Sequence, residues 1–322
     1  MAWVISTQIL LKLIGLILGP LILLNLGDYE FGQYERFITV SSVISPFIFL
    51  GIDAAYTFYI YKEKNVKNIE GIIYSLILCV IMMPVLYVTG IILDVHPFTL
   101  ICFSYSQAIF LLLIKYYRVN RLLKKYFFIG LSFFLLNLGL FQAEFLKNSN
   151  NVINIRSYIY MVIIVIMFTY ILSRTHNISI NKGNLKKYFK YGIPLLPYGF
   201  LYNYMIGVDK LHIASESELI MAAFYNKIGI LILTFAVILK PWINPKLSEC
   251  FFEEKNYNNV NKQIDGIKNI LLIVMYILSI IFYFNKENVS TYFNLNDINF
   301  NILYFYLVSF YFFSIYSIEI LY

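Results

Sequence analysis

The sequence predicts an all-α polytopic membrane protein of about ten transmembrane helices, and three observations carry that expectation. Hydrophobic residues fill 60% of the 322 positions and charged residues only 13%, about half the charged share of a soluble domain; the mean hydropathy is +0.71. Apolar windows of about 20 residues, long enough to cross a bilayer, recur along the whole chain. The basic residues alternate between the joints that separate those windows. The formal charge of +7 therefore reads as a topology signal and excludes a nucleic-acid footprint, because Lys and Arg gather in short joints rather than on one patch.

Taken in order, the first window, 3–26, contains Lys12 and lacks a small-residue cleavage site, so it reads as a retained helix and not a signal peptide. The second, 34–61, holds Pro46, and the third, 71–93, holds Pro84. Windows 97–119, 125–147 and 152–173 follow. The seventh, 188–214, opens with Pro194 and Pro197, whose missing N–H groups free backbone carbonyls and bend a helix. The eighth, 217–248, starts beyond the polar patch Ser215–Glu218, and 264–284 and 300–322 complete the set. The longest joints, Ser173–Lys187 and Ser248–Gln263, are too small to be soluble domains.

Even-numbered joints hold the cations: Lys62, Lys64 and Lys67; Lys115, Arg118, Arg121, Lys124 and Lys125; Arg174, Lys182, Lys186, Lys187 and Lys190; Lys246, Lys255, Lys262 and Lys268. Odd joints hold only Arg36, Lys147, Arg156, Lys210 and Lys286. The bias places the even joints and the N-terminus in the cytoplasm. Cys79, Cys102 and Cys250 fall in or beside apolar windows and read as small core residues, with neither disulfide nor metal spacing. His96, His176 and His212 have no partner at metal-ligand spacing, and neither a phosphate-cradling glycine loop nor a nucleophile elbow is present. No cofactor or metal is expected, and the chain reads as a transporter rather than an enzyme.

A faint repeat links FGQYERFI (Phe31–Ile38) with AAFYNKIG (Ala222–Gly229), each placing a Tyr two residues before a cation. Transporters are often built from two related halves around a central site. The expected organisation is a six-helix lobe over 1–175, a cytoplasmic linker over 176–187, and a second, four-helix lobe over 188–322.

Charges inside apolar windows are the candidate site, since each costs about 2.5–3.5 kcal/mol on insertion and is kept from lipid. Lys227 lies about ten residues into its window, about 15 Å deep, and is the first candidate for a cavity cation. Lys12, Lys210, Lys240 and Arg36 follow; snorkelling or a structural ion pair is the alternative for each. Asp53 and Asp209 can titrate and couple transport to an ion gradient, or can form static pairs, Asp53 with Lys12 and Asp209 with Lys227. Lys115 and Arg118 share a helix face at a cytoplasmic rim, either as a collecting patch for anionic headgroups or as the positive-inside signal alone.

These residues resemble a known family. LGDYEFGQY (Leu26–Tyr34), FLGIDAAY (Phe49–Tyr56), KYGIPLLPYGFLYNYMIGVDKLHI (Lys190–Ile213) and FYNKIG (Phe224–Gly229) are similar to the corresponding stretches of Wzx-type O-antigen and polysaccharide flippases, within the multidrug/oligosaccharidyl-lipid/polysaccharide exporter superfamily. Those proteins usually have twelve or more helices, whereas ten are read here, and Ala223 stands where glycine is common. The resemblance implies a two-lobed bundle in a bacterial inner membrane, carrying an undecaprenyl-diphosphate-linked oligosaccharide to the outer leaflet by alternating access, coupled to H+ or Na+. It also implies a polysaccharide polymerase and a chain-length regulator as partners, and no nucleic acid. The competing readings are an ion-coupled drug antiporter, a membrane polysaccharide polymerase or glycosyltransferase, and an inactive, C-terminally shortened flippase.

Overall fold

The computed structural model describes residues 2–63, 69–93, 95–119, 122–140, 148–174, 182–213, 218–230, 232, 235, 257–285, 287–288, 291 and 299–319. Among the described residues the fold is all-helical, with no strand. The elements are α1 (Ala2–Ile48), α2 (Ile52–Glu63), α3 (Glu70–Ile92), α4 (Pro97–Val119), α5 (Leu123–Leu140), α6 (Ser149–Arg174), α7 (Lys182–Gly192), a 3₁₀ turn (Ile193–Leu195), α8 (Leu196–His212), α9 (218–230), α10 (Tyr257–Phe284) and α11 (Phe300–Glu319). Four stretches among the described residues are long and apolar enough to cross a membrane: Glu70–Ile92, Pro97–Tyr117, Ser149–Ser173 and Ile264–Phe284. Their outward faces fit that environment. On α3, Val80, Ile91 and Ile92 are exposed by 69%, 61% and 75%, a surface that water would penalise and hydrocarbon would not.

Several helix boundaries differ from the sequence expectation: α7 starts at Lys182 and α10 at Tyr257, inside the expected joints Ser173–Lys187 and Ser248–Gln263. The joint expected over 27–33 contracts to one residue, Gly27, at φ 74 and ψ 174. That region is open to glycine because it has no Cβ, so the turn needs no loop and helix resumes at once. The single helix expected over 34–61 is broken at Phe49–Gly51, where Leu50 (φ 47) and Gly51 (φ 76) both turn left-handed. The amides of Ala54 and Ala55 then bond the Gly51 carbonyl at 3.1 Å each and start α2. The bend expected from Pro194 and Pro197 takes the form of the 3₁₀ turn between α7 and α8, with a proline in its first positions and another in those of α8.

The chain divides into two compact units. The first comprises Met1–Thr7 and Leu24–Glu216. Its core lies between α4, α5 and α6: Phe110 and Phe133 lie 4.7 Å apart at their ring centres, Tyr160 packs against both, and the Tyr117 hydroxyl donates to the Met167 carbonyl at 3.1 Å. The Tyr105 hydroxyl of α4 donates to the Cys79 carbonyl of α3. Ile52, Ala55, Tyr74, Leu78 and Tyr188 form a smaller buried cluster where α2, α3 and α7 meet.

The second unit comprises Gln8–Leu23 and Ser217–Tyr322. In it α9 packs closely on α11. A Cβ on Gly229 would sit 2.3 Å from the Phe310 ring, and the Tyr225 hydroxyl accepts the Asn299 amide at 2.8 Å. The Tyr311 hydroxyl of α11 reaches the Lys268 carbonyl of α10 at 3.5 Å.

Candidate functional site

The charged groups of the first unit are organised by one long antiparallel seam. The second half of α1 runs beside α8 in a nearly constant register, and α2 runs beside α7 with the register shifted past the break at Gly51. Glu35 meets Lys210, Thr39 meets Gly207, Ser42 meets Asn203, Pro46 meets Gly199, Gly51 meets Gly192, and Tyr59 meets Tyr188. Glycines at 199 and 207 let the backbones approach, because a Cβ there would lie 3.3 Å from Pro46 and 2.4 Å from Thr39.

At one end of the seam, Tyr34, Glu35 and Arg36 each tie α1 to something different. Arg156 of α6 donates to the Tyr34 hydroxyl. Lys210 Nζ lies 3.1 Å from Glu35 Oε2, with side chains 9% and 5% exposed. Arg36 Nη2 donates to the Ile213 carbonyl at 2.6 Å, satisfying an acceptor that the end of α8 leaves open. Glu30 Oε2 takes the Ser149 amide at 2.7 Å at the start of α6, where a carboxylate suits the helix dipole. Midway, the Ser41 and Ser104 hydroxyls lie 2.8 Å apart.

At the opposite end, Lys115 of α4 donates to Asp53 of α2, with side chains 33% and 26% exposed. Asn184 of α7 donates to Glu70 of α3 at 2.7 Å. The two ion pairs therefore differ in kind. Glu35–Lys210 is sealed from solvent and acts as a strut. Asp53–Lys115 is reachable, so water can come between the partners and an anion can take the place of Asp53 on Lys115.

The residues selected from sequence fall as follows. Lys210 is buried on Glu35, and Arg36 is half-buried on the end of α8. Asp53 pairs with Lys115 of α4; its alternative pairing with Lys12 involves a side chain outside the described residues. Asp209 accepts the backbone amide of Lys210 at 2.9 Å. Lys227 is half-buried on α9 of the second unit. The side chains of Lys12 and Arg118, and the whole of Lys240 and Cys250, lie outside the described residues.

Sequence reasoning missed Glu35, Arg156 and the Glu70–Asn184 bond. Glu35 was in view beside Arg36, but its partner is 175 positions away, a separation that no local pattern signals. Among the described residues no group of three or more His, Cys, Asp or Glu side chains could hold a metal ion. No protein-family model, curated protein or solved structure matches this chain.

Proposed function

We propose that this protein is a membrane carrier that moves an anionic, lipid-linked oligosaccharide across a bacterial inner membrane by alternating access. The reading takes the chain as a two-lobed bundle of about ten spans with its N-terminus in the cytoplasm. One observation carries it furthest: the partly exposed Asp53–Lys115 pair joining α2 to α4. A lysine held by a carboxylate but open to solvent can exchange that carboxylate for a phosphate, since charge-assisted bonds to either are of similar strength. The half-buried Lys227 on α9 offers a second cation of the same chemistry. The sealed Glu35–Lys210 pair supports the helices without taking part in exchange. Coupling to H+ or Na+ would run through Asp53 when Lys115 is drawn to the cargo.

The test is complementation in a bacterial strain lacking its own lipid-linked glycan flippase. The protein is expected to restore surface polysaccharide, and Lys115→Gln to reduce the restoration several-fold while insertion stays normal. An inserted, stable wild-type chain that restores none would refute the proposal; resistance to cationic drugs in its place would favour an antiporter.

A further inference from the structure

We propose that the exposed faces of α7 and α8 together bind one anionic phospholipid, with Lys186 and Lys190 on its phosphate and its acyl chain along Ile193, Leu201 and Met205. The sequence of α7, KGNLKKYFKYG, has cations and no acidic residue. One face of the helix is committed to protein. Tyr188 is buried with Tyr74 and Leu78, Leu185 and Phe189 pack against that cluster, and Asn184 donates to Glu70 at 2.7 Å. On the other face Lys186 and Lys190 are exposed. Helix α7 is therefore not held on a membrane surface by its apolar side, as an interfacial anchor would be. It is a fixed mount that turns two ammonium groups outward. They stand four residues apart, so they share a face and repel each other. Among the described residues neither has an ion-pair partner. One phosphate between them relieves the repulsion and supplies the counter-charge.

The lysine face continues into an apolar one. From Lys190, steps of three or four residues reach Ile193, Pro197, Leu201 and Met205, all exposed. Ile193, Leu201 and Met205 are exposed by 49%, 55% and 51%, and no charged residue lies between Lys190 and Met205. The stretch from Ile193 to Met205 is about 18 Å long at about 1.5 Å per residue, close to one leaflet of a hydrocarbon core about 30 Å thick. The two cations thus stand at one end of a face as long as an acyl chain, where a phospholipid carries its headgroup. A zwitterionic headgroup brings its own cation and gains less from the lysines, so the site selects an anionic lipid. The junction between the two faces is fixed. A Cβ on Gly51 would lie 2.2 Å from the Gly192 carbonyl oxygen, and one on Gly192 would lie 2.5 Å from that of Gly51. Cations and apolar stripe are held in register before any lipid arrives, which lowers the cost of binding.

The site rests on the membrane setting and not on the cargo proposed above, which is absent from its test. Trp3 and Trp242 are replaced by phenylalanine. A single tryptophan is then introduced as Leu201→Trp, or as Val80→Trp on the exposed face of α3 for a reference in bulk lipid. Each full-length protein is reconstituted in phosphatidylcholine vesicles holding a small share of phosphatidylglycerol with brominated acyl chains, which quench tryptophan on contact. Quenching at 201 is expected to exceed that at 80 several-fold. Lys186→Gln with Lys190→Gln is expected to bring it down to the level at 80. Lys124→Gln with Lys262→Gln, which removes the same charge from exposed positions elsewhere, is expected to leave it unchanged. Equal quenching at 201 and 80 before any lysine is changed overturns the proposal. So does an excess that survives the loss of Lys186 and Lys190, or one that falls equally with the control pair. Brominated phosphatidylcholine checks insertion through its quenching at 80; a tryptophan at 201 that neither brominated lipid quenches means that this face of α8 does not meet lipid, and overturns the proposal as well.

Discussion

Tyr34, Glu35 and Arg36 show how much one helical turn can specify. Successive residues point about 100° apart, so three neighbours reach α6, α8 and the end of α8 in turn. The Glu35–Lys210 pair is buried, and burial makes loss of one partner far worse than loss of both. Lys210→Met alone, which strands the carboxylate, is expected to lower unfolding stability by about 3–5 kcal/mol. Adding Glu35→Gln in the same chain should recover most of it. Asp53→Asn should shift stability by no more than about 1 kcal/mol, because both groups of that pair reach solvent. Thermal unfolding in detergent compares the three, and an additive effect of the first two substitutions would contradict the buried-pair account. The charges themselves were legible from sequence, since Asp53, Lys210 and Arg36 interrupt apolar windows. Their partners were not, because pairing across distant helices depends on how those helices turn.

Those turns are set at the level of the element, where hydropathy is a good guide to helices and a poor one to breaks. The apolar windows at 71–93, 97–119 and 152–173 correspond to α3, α4 and α6 within a few residues. The break inside 34–61 was invisible, because Phe49–Ile52 is as apolar as its surroundings and a lone glycine is common in membrane helices. The bend near Pro194 was legible, because proline cannot donate an N–H whatever its context. The two positive-φ glycines separate conformational strain from crowding. Gly27 has nothing within 4 Å of a built Cβ, whereas Gly51 has the Gly192 carbonyl at 2.2 Å. Gly27→Ala should therefore cost the backbone term alone, about 1–3 kcal/mol. Gly51→Ala should cost distinctly more, because a clash with backbone cannot be relieved by a rotamer change. Equal losses for the two in the same unfolding measurement would show that the close approach at Gly51 does not govern stability.

At the scale of the whole chain, one helix serves two bodies. Residues Gln8–Leu23 of α1 belong to the second unit, while Met1–Thr7 and Leu24–Glu216 belong to the first. Leu18, Ile22 and Leu23 within that segment are buried at 2%, 1% and 5% exposure, so the segment is core rather than tether. A unit deprived of part of its core loses transfer energy and is left with an unfilled groove. This sharing has no signature in an apolar window, which states that a helix is buried and not which helices bury it. The consequence is specific. A tagged fragment carrying 217–322 alone should fail to accumulate, since it lacks one of its own helices. Coexpression with a separate 1–216 fragment should restore it and yield a copurifying pair, whereas coexpression with 24–216 should not. Equal recovery of the tagged fragment with either companion would mean that the first helix is not integral to the second unit, and that its buried leucines are satisfied elsewhere.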